Sequence, residues 1–113
     1  MNTPTVNFLL KNSPAPVAIF DMDMKFLDYS EEWAKVHNSN QKKLIGKTLY
    51  EIGGVIPRQF QEILKKCLLG KESRNTGTKF IFPSGKIIWL SWKINPWRNS
   101  QGDVAGLIMV LED

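Results

Sequence analysis

Gly85-Lys-Ile-Ile-Trp-Leu-Ser-Trp-Lys-Ile-Asn-Pro-Trp-Arg-Asn-Ser-Gln-Gly-Asp-Val-Ala-Gly-Leu-Ile-Met-Val-Leu-Glu-Asp113 reads as two long apolar strands around a polar turn. Lys86 to Asn95 is rich in Ile and Trp, side chains that suit a pleated, half-buried surface. Asn99 to Asp103 supplies the turn residues, with Gly102 free to take positive φ. Val104 to Leu111 is a second apolar run of strand length. Ile88, Leu90, Trp92 and Ile94 share one face of the first strand, and Ile87, Trp89, Ser91 and Lys93 share the other. Both faces carry apolar groups, which predicts that both are covered. A hairpin on which the chain ends also predicts a sheet module of a longer protein.

The rest of the composition describes one ordinary domain. A chain of 113 residues holds one core and is too short for two. No run has the length of a membrane span, and Met1 to Ser13 lacks the basic start and apolar stretch of a signal peptide. Cys67, the single cysteine, has no internal disulfide partner, which together with the missing leader predicts a cytoplasmic location. The net charge of +4 is scattered. No basic cluster interleaved with aromatics suggests nucleic acid, so no nucleic-acid or membrane partner is expected for this segment.

Val6 to Lys11 has the character of a short, sticky helix, stopped by Asn12-Ser-Pro-Ala-Pro16. Val17 to Phe20 and Lys25 to Tyr29 are strands around the tight connection Asp21-Met-Asp-Met24. Ser30 is an N-cap candidate, with Glu31 and Glu32 at the positive end of the helix dipole. Thr48 to Ile52 is one helical turn, and Gly53-Gly54 breaks the chain again. The clearest helix is Pro57 to Leu69, where Phe60, Ile63, Leu64, Cys67 and Leu68 follow helical spacing and Gly70 is the stop. Thr76 to Phe82 is a strand turned by Pro83-Ser-Gly85 into the closing hairpin.

This order, with the residues that mark it, resembles a PAS sensor domain over nearly the whole chain. Ala15-Pro-Val-Ala-Ile-Phe-Asp21 is similar to that family's first strand, and Leu44-Ile-Gly-Lys-Thr-Leu-Tyr-Glu-Ile52 to the stretch between its short central helices. Ser84-Gly85 before Ile88-Trp89 resembles its turn into the fourth strand, and Pro96, Asn99 to Asp103 and Gly106 its last hairpin. Ser30 departs from the Asn often found at the cap, although both residues cap a helix. The resemblance implies an α+β fold: a five-stranded antiparallel sheet in the order 2-1-5-4-3, with short helices and one longer helix across one face. Residues 1–13 are then a cap segment and 14–113 the domain proper. Glu112-Asp113 matches the start of the acidic element that leads into a signalling helix, which makes the pair the expected signal output.

With that fold, Phe60, Ile63, Leu64, Phe80, Phe82, Leu90 and Trp92 are the candidate lining of a pocket between the long helix and the sheet. A tenant would be small and largely apolar, oriented by polar groups such as Tyr50, Arg58 or Asn95. Large aromatics also fill space, so a solid core is the competing reading. On the opposite face, Phe8, Leu9, Leu10, Ile87 and Trp89 are the candidate contact for the cap helix or for a second subunit. Haem is not expected: PAS domains that hold it take an axial His from the long helix, and Pro57 to Leu69 has none. His37, the only histidine, is better placed as a helix C-terminal residue. Photoactive flavin is not expected either. Gly54-Val-Ile-Pro-Arg-Gln-Phe-Gln61 lacks the reactive Cys of the light-sensing relatives' Gly-x-Asn-Cys-Arg-Phe-Leu-Gln signature.

The rival motif is Val17-Ala-Ile-Phe-Asp-Met-Asp-Met-Lys25, which looks like the nucleophile strand of haloacid dehalogenase-type phosphatases. There the first carboxylate attacks phosphorus and the second shuttles a proton, beside a magnesium ion. Asp21 and Asp23 have that spacing, but no downstream acidic pair completes a metal site. Two carboxylates serving a hairpin turn is the simpler account. No other catalytic or metal-ligand set stands out. The expected function is a non-catalytic sensory or dimerisation module, homodimeric, that perceives a small ligand or partner. It would relay the signal through its last strands to an effector domain of histidine kinase or diguanylate cyclase type in the same polypeptide. The alternatives are a ligand-free protein–protein interaction module and, more remotely, the phosphatase fragment.

Overall fold

The computed structural model describes residues 9–36, 44–52, 58–81 and 85–112. Five strands, β1 (Val17–Asp21), β2 (Phe26–Tyr29), β3 (Ser73–Ile81), β4 (Ile87–Arg98) and β5 (Val104–Glu112), form one antiparallel sheet. Among the described residues, three helices, α1 (Glu31–Val36), α2 (Leu49–Ile52) and α3 (Arg58–Leu68), lie between β2 and β3 in the chain. The strand order is β2-β1-β5-β4-β3, the order expected from the sequence. The last strand therefore enters the middle of the sheet. Val17 to Asp21 of β1 pairs with Val110 to Gly106 of β5 on one side, and β4 pairs with β5 on the other.

Local chemistry accounts for the joints. Between β1 and β2, the Asp21 carboxylate accepts hydrogen bonds from the backbone N–H groups of Asp23 and Lys25, each at 2.9 Å. Met24 takes φ 61° in that turn, a left-handed conformation that a side chain adopts only at a cost. Burial of the Met24 thioether in the core offsets it. A reciprocal capping box starts α2: Thr48 Oγ1 accepts from the Glu51 N–H at 3.1 Å, and Glu51 Oε1 accepts from the Thr48 N–H at 3.4 Å. α3 ends at Gly70 (φ 107°), whose N–H reaches the Cys67 carbonyl at 2.9 Å while the Lys71 N–H reaches Lys66 at 3.3 Å.

The expected alternation in β4 is present. Trp92 and Ile94 are buried with Ala18 and Phe20 of β1 and Leu107, Met109 and Leu111 of β5. On the same side, α3 packs across β4 and β5 through Phe60, Leu64 and Cys67, and α1 contributes Trp33. Rings at the β1–β2–α1 corner meet edge to face or tilted, with Phe20 and Phe26 centroids 4.5 Å apart and Phe26 and Trp33 5.9 Å apart. Such pairs add about 0.5–1.5 kcal/mol each beyond their buried area.

One boundary differs from expectation. β3 begins at Ser73, three residues earlier than the apolar pattern suggests, because Ser73, Arg74 and Asn75 pair with Ile94, Lys93 and Trp92. An edge strand needs backbone pairing more than hydrophobicity, so polar residues extend it. A bulge between Asn75 and Thr78 then shifts the register. Near the start of the chain, the described helical turn covers residues 9–11.

Candidate functional site

On the helix side of the sheet, Phe60, Leu64 and Trp92 belong to one buried cluster, and Ile63 packs against it from the rim. The Phe60 and Trp92 rings meet nearly perpendicular, 77° apart with centroids at 4.8 Å. Four of the seven candidate lining residues are thus brought together. Phe82 lies outside the described residues, as do the side chains of Phe80 and Leu90. Cys67 is buried in the same cluster, and that burial pushes its thiol above the ordinary value. Burial likewise raises the Tyr50 phenol, although Tyr50 keeps part of its ring in solvent.

Asn95 corrects the sequence reading. It alternates with the buried Ile94 along β4 and so stands on the opposite face from Trp92. There it lines a hollow with Glu72, Ser73, Arg74 and Lys93, and it cannot orient a ligand held beside Trp92. Arg58 opens α3 as an exposed residue.

The outer face of the sheet divides in two. At the β3–β4 end, Ile81 lies opposite Ile87 in the register, and Ile87 and Trp89 are 54% and 65% exposed. Leu9 is 64% exposed while its neighbour Leu10 is buried at 8%, so the helical turn has one inward side. Phe8 lies outside the described residues. Toward β1, Val17, Ile19, Ile108 and Val110 are half-buried. Here the Trp97 indole crosses β5 and donates to the Phe20 carbonyl at 2.9 Å. Gly106 makes the crossing possible, because a Cβ there would overlap the Phe20 carbonyl oxygen and press on Trp97.

At the exit of the sheet, Glu112 pairs in register with Ser91, and its carboxylate lies 3.8 Å from the Arg74 guanidinium. Asp113 is outside the described residues, as are His37 and Gly53-Gly54. The sequence reading missed Arg74, since it falls in the polar stretch before the apolar part of β3. Only the register places it beside the output strand.

The Asp21–Asp23 motif takes a different role from the phosphatase one. β1 is antiparallel to both of its neighbours, unlike the parallel sheet of a doubly wound fold. One oxygen of Asp21 is occupied by two backbone N–H groups of the turn. This is the turn role that the sequence favoured.

The sheet order, the helices on one face and the central last strand are those of PAS domains, and the family model for the PAS fold matches residues 10–113. The chain belongs to the PAS fold family. No curated protein matches it. Among solved structures, it is similar to the Vibrio cholerae VqmA dimer, a LuxR-type receptor described in the absence of its target DNA. That match has TM-score 0.78 and 20% identity, covering 100% of this chain and 52% of VqmA. It is also similar to an RNA-binding light-oxygen-voltage receptor, with TM-score 0.79 and 13% identity, covering 97% of this chain and 32% of that one. The PAS domain of nitrogen regulation protein NR(II) from Vibrio parahaemolyticus matches at TM-score 0.76 and 12% identity, covering 100% and 99%. At these identities the likeness shows the fold alone. The chain spans about half the length of VqmA and a third of the light receptor. Since one relative has a target DNA and another binds RNA, the expectation of no nucleic-acid partner draws no support from them. Among the described residues, no helix is long and apolar enough to cross a membrane.

Proposed function

We propose that this chain is a non-catalytic sensory and dimerisation PAS module, with residues 1–13 as its cap segment and 14–113 as its domain. It perceives a small ligand or a partner and passes the change through β4 and β5 to an effector domain that follows it, of histidine kinase or diguanylate cyclase type, in the cytoplasm. The observation that carries this reading is the position of β5. The strand that ends at Glu112 is hydrogen-bonded to both β1 and β4 at the centre of the sheet. Repacking of the Phe60–Trp92 cluster against its inner face would bear directly on the exit of the chain. The effector is drawn from the company PAS domains keep. A DNA-binding output such as that of VqmA is the competing possibility.

The exposed Ile87 and Trp89 of the outer face support homodimerisation through that face. Native mass spectrometry of the purified protein tests the sensor reading. A co-purifying small, largely apolar molecule supports it. A dimer with no bound molecule, and with an equilibrium that no small-molecule extract shifts, turns the assignment to a protein–protein interaction module. The direct Phe60–Trp92 ring contact favours that second reading.

A further inference from the structure

The outer face of the sheet holds a hollow for which sensing in the core has no use. Its volume is about 360 Å³ and it is lined by Glu72, Ser73, Arg74, Lys93 and Asn95. That size falls at the lower end of small-molecule sites, roughly 300–1,000 Å³. The register builds it: Arg74 lies opposite Lys93, and Lys93 and Asn95 share a face of β4. A second hollow of about 220 Å³, lined by Ile63, Lys66, Cys67, Lys71, Glu72 and Ser73, lies across the β3 edge on the helix side and is separate from it. Two cations, Arg74 and Lys93, therefore stand side by side in the first hollow, with Glu72 at its rim. Among the described residues Lys93 has no ion-pair partner, and Arg74 has only Glu112, at 3.8 Å and exposed to solvent. Like charges gathered in this way repel, and a bound anion relieves the repulsion.

We propose that this hollow binds a small polyvalent anion bearing carboxylate or phosphate oxygens, and that its occupancy is coupled to the exit of β5 through Arg74. The planar guanidinium of Arg74 supplies two parallel donors, Lys93 a point charge, and Asn95 a neutral donor. Arg74 is shared. The guanidinium that grips the anion is the one that pairs with Glu112 across β4. Anion and Glu112 compete for it, so occupancy loosens the last residue of the sheet, and loss of Glu112 tightens the anion by the same factor. An exposed pair at this distance limits the coupling to roughly five-fold or less. None of this requires a ligand in the core, so it stands or falls apart from the sensor reading.

The test is an amide NMR titration of the chain with inorganic phosphate and, separately, with succinate, each at ionic strength held constant by sodium chloride. Saturable shifts confined to residues 72–75, 93–95 and 112 in at least one titration are expected, and the anion that saturates identifies the class. Arg74→Gln and Lys93→Gln should each weaken binding about ten-fold. Lys65→Gln, on the exposed side of α3, should leave it unchanged. Glu112→Gln should tighten it two- to five-fold. Linear shifts spread over all lysines with both anions, or wild-type affinity in Lys93→Gln, overturn the site. Unchanged affinity in Glu112→Gln overturns the coupling. Dispersed spectra confirm that each variant is folded, and should Arg74→Gln fail that check, the Lys93 and Glu112 variants decide the outcome.

Discussion

The Ser30 hydroxyl is fully buried, accepts from the backbone N–H groups of Val17 at 2.9 Å and Trp33 at 3.2 Å, and donates to the Ala15 carbonyl at 3.2 Å. It caps α1, as its place before Glu31-Glu32 suggests, and also ties the helix to the start of β1. Ser30→Ala takes the hydroxyl from two backbone donors, while the Ala15 carbonyl keeps the Ser13 hydroxyl at 3.1 Å, so a loss of about 2 kcal/mol is expected in urea unfolding, above the ~1 kcal/mol of a simple cap. Gly106→Ala should cost more than about 2 kcal/mol and quench less of the Trp97 signal on folding, because the indole can no longer cross β5. The Cys67 thiol is pushed up by burial, so the fold favours its protonated form. The stability this adds is fully present below the ordinary thiol value of 9.0 and falls as pH rises through the higher folded value. Cys67 should accordingly resist alkylation at pH 8 until denaturant is added. Rapid labelling of the native protein at that pH would contradict its burial.

At the scale of elements, turns and caps explain where strands and helices stop. Asn99 Oδ1 accepts from the N–H groups of Gln101 at 3.0 Å and Asp103 at 3.1 Å, and Gly102 takes φ 85°, so the polar run read as a turn is one. Asn99→Ala should lower stability by about 1 kcal/mol in thermal unfolding without changing the sheet's circular dichroism. β4 and α3 were legible because their apolar periods, two and helical, are strong and their stops are Gly or turn residues. The first three residues of β3 were not. Arg74 and Asn75 carry no apolar signal, and only pairing with Lys93 and Trp92 makes them strand. The sequence reading saw only a helical turn at Thr48 to Ile52, and the Thr48–Glu51 capping box marks α2 more firmly than its four residues do.

For the whole molecule, the decisive asymmetry lies between the sheet's two faces. One is sealed by α1 and α3 over a continuous aromatic and aliphatic cluster, and the other leaves Ile87 and Trp89 in solvent. A proposed dimer built on that outer face places Trp89 at its centre. Trp89→Lys should then weaken self-association about 30-fold or more in sedimentation velocity, the effect of losing a central aromatic anchor, while leaving the monomer's melting temperature nearly unchanged. Deleting residues 1–12 should change the oligomeric state or solubility. Identical sedimentation of both variants and the parent would remove the outer face from consideration.

The sequence by itself determined the five strands, the long helix, the cap at Ser30 and the apolar character of both faces of β4, because periodicity, capping chemistry and turn residues are local properties. Through the family resemblance it also anticipated the strand order. It named Phe60, Leu64 and Trp92 as neighbours for the same reason: each lies on the inward side of its own element. Only the tertiary structure decided that Trp97 reaches across Gly106 to Phe20 and that Arg74 stands beside Glu112. Those relations depend on register between strands far apart in the chain, and no local pattern encodes which residue of one strand lies opposite which residue of another.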